Sequence, residues 1–216
     1  MQLVARRTVL AASLAGAAAI ALDVALAPTI AYQAPQARIG EPAPAFALSD
    51  SNGKSVSLAD FKGKTVVLEW TNHDCPYVRK HYGSSNMQRL QKKWTAQGVV
   101  WLTLISSAPG TEGYVSGEEA NKLTLARGAA PSHVLLDPKG EVGRAYGAQT
   151  TPHMYIIKGD GSLAYMGGID DKPTTRLDDL KTANNFVDAA LTELAQGQSV
   201  SRPTARPYGC SVKYSS

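Results

Sequence analysis

The sequence predicts an α/β fold in which a central mixed β-sheet is flanked by helices, with a β-hairpin ahead of it and a tail behind. Three observations carry this prediction. Short apolar runs alternate with segments of helical spacing along most of the 216 residues. The run Thr65-Val66-Val67-Leu68 is apolar on both parities, as expected of a strand covered on both faces. Near the end, Met154-Tyr155-Ile156-Ile157 and Leu163-Ala164-Tyr165-Met166 flank Gly159-Asp160-Gly161, which is hairpin chemistry.

Residues 1–31 read as an export signal. Arg6-Arg7 precede an Ala-rich apolar stretch that is short for a membrane span and is interrupted by Asp23. Paired arginines before a mildly hydrophobic core suggest a twin-arginine signal, with a general secretory signal or an uncleaved anchor as alternatives. Thr29-Ile30-Ala31 suits a cleavage site. The expected location is periplasmic or otherwise extracytoplasmic, with no membrane span once the signal is cut. Residues 32–44, with Pro35, Pro42 and Pro44, read as linker.

Residues 45–196 form the expected domain. Ala45-Phe46-Ala47-Leu48 and Val56-Ser57-Leu58 flank Ser51-Asn52-Gly53-Lys54, a hairpin pattern. The central strand, residues 65–70, leads through a turn into a helix whose Met87, Leu90 and Trp94 share one face. Val99-Val100-Trp101-Leu102-Thr103-Leu104-Ile105 is a second buried strand, and residues 106–115 a loop. Ser116-Gly117-Glu118-Glu119 has capping-box spacing and opens a helix to about Arg127. Val134-Leu135-Leu136-Asp137 gives a strand, residues 141–146 a short helix, and Phe186, Val187, Ala190, Leu191 and Leu194 mark the last helix. Residues 197–216 are a cysteine-containing tail without a core pattern.

The formal charge is +4, from 22 basic and 18 acidic residues that are interspersed rather than striped. A nucleic-acid partner needs a denser basic face and is not expected. The two cysteines, Cys75 and Cys210, would be allowed to pair in an oxidising compartment.

Chemistry concentrates at Trp70-Thr71-Asn72-His73-Asp74-Cys75-Pro76-Tyr77-Val78. A strand–turn–helix places Cys75 at a helix N-terminus with Pro76 in the first helical position. Orphan N–H groups and the positive end of the helix dipole stabilise a thiolate there, which turns a weak thiol into a nucleophile. Arg79 and Lys80, one turn on, would act in the same direction. His73 is a candidate for polarising the thiol or relaying its proton.

Together with Thr150-Thr151-Pro152-His153 ahead of the hairpin, this stretch resembles the thioredoxin-like superfamily, and most closely its redoxin or AhpC/TSA branch. The resemblance runs from about Gly40 to about Gln196. It implies a cis peptide before Pro152, a loop in which Thr151 and Pro152 bind the substrate's backbone opposite Cys75, and Tyr77 beside them. It also gives Glu69, six residues before the cysteine, the place of a buried acid that takes part in proton transfer. The implied activity is a thiol–disulfide oxidoreductase with no organic cofactor and no metal. Its substrates would be protein or small-molecule thiols and disulfides, or a hydroperoxide, with an external thiol as reductant.

The chain departs from the family's Cys-x-x-Cys, because Val78 stands where the second cysteine belongs. Resolution of an adduct on Cys75 then falls to an external thiol, another subunit, or Cys210 brought back by the tail. Two further departures weaken a peroxiredoxin-like peroxidase, the first alternative. Asn72 holds the position of that family's threonine, and Pro131-Ser132-His133-Val134 lacks its arginine. A third reading is copper handling by Cys75 with His73, His81 or His153, and a fourth is a redoxin fold used only for binding.

Overall fold

A computed structural model describes residues 36–215. The export signal and the first part of the linker lie outside the described residues. Seven strands form one mixed sheet in the order β2-β1-β5-β4-β3-β7-β8. In chain order these are β1 (Ala47–Asp50), β2 (Ser55–Ser57), β3 (Val66–Trp70), β4 (Val100–Ile105), β5 (His133–Leu136), β7 (His153–Ile157) and β8 (Leu163–Gly167). A separate two-stranded ribbon pairs β6 (Thr150–Thr151) with β9 (Cys210–Ser211).

Strand β3 is the centre of the sheet. It runs parallel to β4, with Val66 opposite Val100 and Trp70 opposite Leu104. It runs antiparallel to β7, with Trp70 opposite His153. All five of its side chains are buried. Alternation sends Val66, Leu68 and Trp70 to one core with Leu102, Leu104, Tyr146 and Tyr155. Val67 faces the other core, where Trp101, Met154 and Ile156 meet Val78, Met87, Leu90, Trp94, Val187 and Leu191 from the helices. Each such large apolar side chain contributes roughly 1.5–3 kcal/mol on burial.

The helices are α1 (Pro76–Gly83), α2 (Asn86–Thr95), α3 (Gly117–Ala126), α4 (Glu141–Tyr146) and α5 (Phe186–Ala195). The capping box at α3 is present in both directions, Ser116 accepting the Glu119 N–H and Glu119 accepting the Ser116 N–H. The single helix expected after Cys75 is two. Ser85 takes a left-handed conformation with φ 58°, which ends α1 and restarts the chain as α2. A serine adopts that conformation rarely enough that helical spacing gave no warning of it.

Two segments outside the apolar pattern are tied down by backbone hydrogen bonds. Residues 37–43 run along the β7–β8 hairpin, with Gly40 N–H donating to Leu163 O at 2.8 Å and Ala43 N–H to Gly161 O at 2.9 Å. The tail crosses the sheet end in the opposite sense. Met166 N–H donates to Pro203 O, Val212 N–H to Gln149 O, and Ala108 N–H to Lys213 O, at 3.0, 3.0 and 2.8 Å. Among the described residues, no helix is long and apolar enough to cross a membrane.

Candidate active site

The turn that delivers Cys75 is built by Asn72. Its side-chain oxygen accepts the Asp74 N–H at 2.8 Å, and its carbonyl accepts the Cys75 N–H at 3.2 Å. Pro76 then opens α1 without wasting a donor. Cys75 therefore stands at the N-cap position of the helix, with extended backbone and no side-chain capping hydrogen bond of its own. When protonated, the thiol donates to the Thr151 carbonyl, with Sγ 3.1 Å from the oxygen. The Thr151–Pro152 peptide is cis.

The second thiol arrives from the tail. In the β6–β9 ribbon Thr151 stands directly opposite Cys210, and Thr150 opposite Ser211. The Thr151 hydroxyl donates weakly to the Cys210 carbonyl at 3.5 Å. Gly209 is what lets the tail come so close. Its φ is 136°, and a Cβ there would penetrate the Thr151 carbonyl oxygen.

The two sulfurs, both free thiols in this structure, divide one proton unequally. Burial opposes a thiolate at Cys75, which is 0% exposed. Its polar surroundings, the Cys210 thiol first and then the Val78 N–H, Thr151 and the Cys210 backbone, outweigh that penalty and bring its pKa below the ordinary thiol value. Cys210 moves the other way, pushed up to about 12 by burial, by its bond to Cys75 and by the charges of Cys75 and Glu112. Charge collects on Cys75 and the proton stays on Cys210.

The other candidates are distributed as follows. Glu69 is fully buried and raised in pKa by desolvation. Its carboxylate accepts from Tyr82 Oη and Trp101 Nε1 at 2.8 Å, Gln91 Nε2 at 3.2 Å and Thr103 Oγ1 at 3.3 Å. These bonds leave it anchored between α1, α2 and β4 rather than bonded to Cys75. His73 faces Asp74, 3.3 Å away, and Arg79 pairs with the same carboxylate at 3.0 Å. Tyr77 packs on the ring of Tyr208, with centroids 5.7 Å apart.

Lys80 turns away from the thiol and is almost completely buried. It donates to Lys172 O at 2.7 Å and to Tyr208 Oη at 3.3 Å. His81 lies between Asn86, 2.9 Å from Nδ1, and Tyr208, 3.2 Å from Nε2. His153 hydrogen-bonds Tyr155 and the Gln149 N–H. Cys75, His73, His81 and His153 are thus not brought into one ligand set. Among the described residues, no group of three or more His, Cys, Asp or Glu side chains is arranged to hold a metal.

Sequence reasoning did not single out Tyr208 or Asp170. The Tyr208 hydroxyl donates to Asp170 Oδ1, an atom that also accepts the Lys172 N–H at 2.9 Å. No local pattern marks such a contact, since its members come from the segment after β8 and from the tail.

A mixed sheet with a cysteine at the N-terminus of the helix after its central strand, facing a cis-proline loop, defines a thioredoxin-like protein. Within that class the chain belongs to the AhpC/TSA family, whose pattern matches residues 39–166. It is 29% identical to "Thiol-disulfide oxidoreductase ResA" of Bacillus thuringiensis over 125 residues, which is 58% of this chain and 66% of that protein, just under two thirds. Among solved structures it resembles an uncharacterised conserved protein from Geobacillus kaustophilus, with a TM-score of 0.70 and 28% identity, covering 82% of this chain and 93% of that one. A putative thiol:disulfide interchange protein DsbE from Chlorobium tepidum follows with a TM-score of 0.50 and 27% identity, over 60% of this chain and 84% of its own.

Proposed function

We propose that this chain is an exported thiol–disulfide oxidoreductase in which Cys75 is the nucleophile and Cys210 the resolving thiol. The observation that carries the reading is the Thr151–Cys210 pairing, which sets a second thiol opposite the residue whose carbonyl accepts from Cys75. The family and the named relatives support the reaction class. Export rests on the sequence of residues 1–31.

The cycle is balanced as follows. The Cys75 thiolate attacks a substrate disulfide, forming a mixed disulfide and releasing one substrate thiolate, which takes up a proton. Bonded sulfur no longer carries charge, so the Coulombic burden on Cys210 disappears and its thiol can ionise. Cys210 attacks the Cys75 sulfur, the second substrate thiol leaves, and a Cys75–Cys210 disulfide remains. An external dithiol returns the pair to its reduced form by two exchanges. Run backwards, the same steps oxidise a substrate dithiol. Glu69 and His73 stay outside this path because their hydrogen bonds and ion pairs go elsewhere.

One observation favours a hydroperoxide as alternative oxidant. Cys75 is completely covered, which admits a small oxidant more readily than a folded protein. The thiolate would then break the O–O bond, becoming a sulfenic acid and releasing an alkoxide that is protonated to alcohol. Cys210 would condense with that acid and release water.

Non-reducing mass spectrometry after one equivalent of oxidised glutathione, or of hydrogen peroxide, tests both. A species two mass units lighter, mapped to a Cys75–Cys210 link and absent from Cys210→Ser, is expected. The faster oxidant identifies the substrate class. Two thiols that stay free against both reagents overturn the oxidoreductase reading.

A further inference from the structure

We propose that Tyr208 is the positioning residue for Cys210, its hydroxyl fixing the register in which the tail offers the second thiol to Cys75. The inference rests on the two-cysteine reading above and adds to it a residue that touches neither sulfur's chemistry.

The geometry begins with spacing. Cys75 and Tyr77 are two residues apart at the start of α1, and Tyr208 and Cys210 two apart in the tail. Tyr77 packs on Tyr208 while Cys210 pairs with Thr151, whose carbonyl accepts from Cys75, so the aromatic pair and the thiol pair are held in step. An aromatic contact tolerates sliding, because neighbouring offsets of two rings are similarly favourable. A directional hydrogen-bond set does not.

Tyr208 supplies that set. Its hydroxyl donates to Asp170 Oδ1 and lies 3.3 Å from Lys80 Nζ and 3.2 Å from His81 Nε2. Asn86 Nδ2 sits 2.9 Å from His81 Nδ1, which makes Nδ1 the acceptor and leaves the Nε2 proton for Tyr208. Lys80, His81 and Asp170 are each no more than 2% exposed. Asp170 has little else to satisfy it. The Lys172 N–H shares Oδ1, while Oδ2 has no hydrogen-bond partner and only the His81 ring 3.9 Å away. Withdrawing the tail would leave a buried carboxylate, imidazole and ammonium each short of a partner, an arrangement that buried polar groups avoid. The cluster therefore holds the hydroxyl in one place, and Gly209 carries that placement to Cys210 across a single residue.

The test uses the full chain and Tyr208→Phe, which keeps the ring on Tyr77 and removes only the hydroxyl. Two quantities are read, the pH midpoint of Cys75 alkylation by iodoacetamide and the equilibrium constant of the Cys75–Cys210 disulfide in a glutathione redox buffer. Tyr208→Phe should raise the midpoint and lower the constant at least tenfold. In a Cys210→Ala background it should leave the midpoint unmoved, which a general loss of structure would not do. A constant within twofold of wild type, or an equal shift of the midpoint in both backgrounds, overturns the role of Tyr208. If wild type itself forms no such disulfide, the two-cysteine reading fails first and this inference with it. Should Tyr208→Phe not fold, Asp170→Asn weakens the acceptor without emptying the site. It should lower the constant at least threefold, and no change overturns the proposal.

Discussion

Thr151 and Cys210 face each other in a two-residue antiparallel ladder, so the residue before the cis-proline holds the second thiol through backbone as well as side chain. The same Thr151 offers its carbonyl to Cys75 at 3.1 Å. One residue thus touches both cysteines, and the ladder brings a cysteine that is distant in sequence up to the residue that faces Cys75.

Removing the second thiol should be felt at the first. Cys210→Ala removes the neighbouring thiol that favours the Cys75 thiolate and leaves burial, which opposes it, less opposed. The midpoint of Cys75 alkylation against pH is expected to rise. Cys210→Ser, whose hydroxyl still donates, should raise it less. A midpoint unchanged in Cys210→Ala would mean that the helix N-terminus alone sets the nucleophile.

Gly209 is the position where the ladder is most exposed to substitution. Gly209→Ala would force a Cβ into the Thr151 carbonyl at a φ of 136°, which L-residues rarely adopt. The expected cost is about 1–3 kcal/mol in chemical denaturation, together with slower formation of the Cys75–Cys210 disulfide. Alanine tolerated without either effect would show that the ladder can open at little cost.

Much of this was legible in the sequence, and the exceptions share a cause. The Cys75 turn could be read because strand, cysteine, proline and helix are contiguous. The Thr151-Pro152 loop could be read because a Thr-Pro ahead of a hairpin resembles the loop of the thioredoxin-like superfamily. Glu69 was recognisable as a carboxylate in an apolar strand, but its four donors come from three other elements and leave no local trace. Lys80 looked like a solvated helix residue or a partner for the thiolate. Its burial against Tyr208 and Lys172 depends on a tail 128 residues away. That tail docks by backbone pairing and by the hydroxyls of Tyr208 and Tyr214, none of which writes a periodicity.

Glu69 should reveal itself in the pH dependence of stability. Its folded pKa is raised above the ordinary 4.5, so the unfolded chain ionises first. Its favourable contribution is complete below about pH 4.5 and is lost as pH rises toward the folded pKa. Other carboxylates titrate in the same range, so the informative quantity is the difference between wild type and Glu69→Gln. Relative to the variant, wild type should lose stability as pH rises above 4.5 in urea denaturation. Parallel curves would place an ionised carboxylate in the core throughout.

His81 and His153 predict the opposite slope. Burial lowers their pKa values from 6.5 to about 3 and about 4. The unfolded chain therefore binds protons first as pH falls below 6.5, and stability declines with it. Between pH 7.5 and 5.5 each histidine should cost about 1.4 kcal/mol, most of one decade of proton binding available only to the unfolded state. Lys80 and Asp170 face His81 and carry opposite charges, which keeps the protonated ring from gaining a net partner. Thermal melts across this range should steepen on the acid side, and His81→Asn, which retains a donor toward Tyr208, should remove about half of the slope. An unchanged slope in that variant would mean that His81 is protonated in the folded protein and that its bond to Tyr208 is an ionic one.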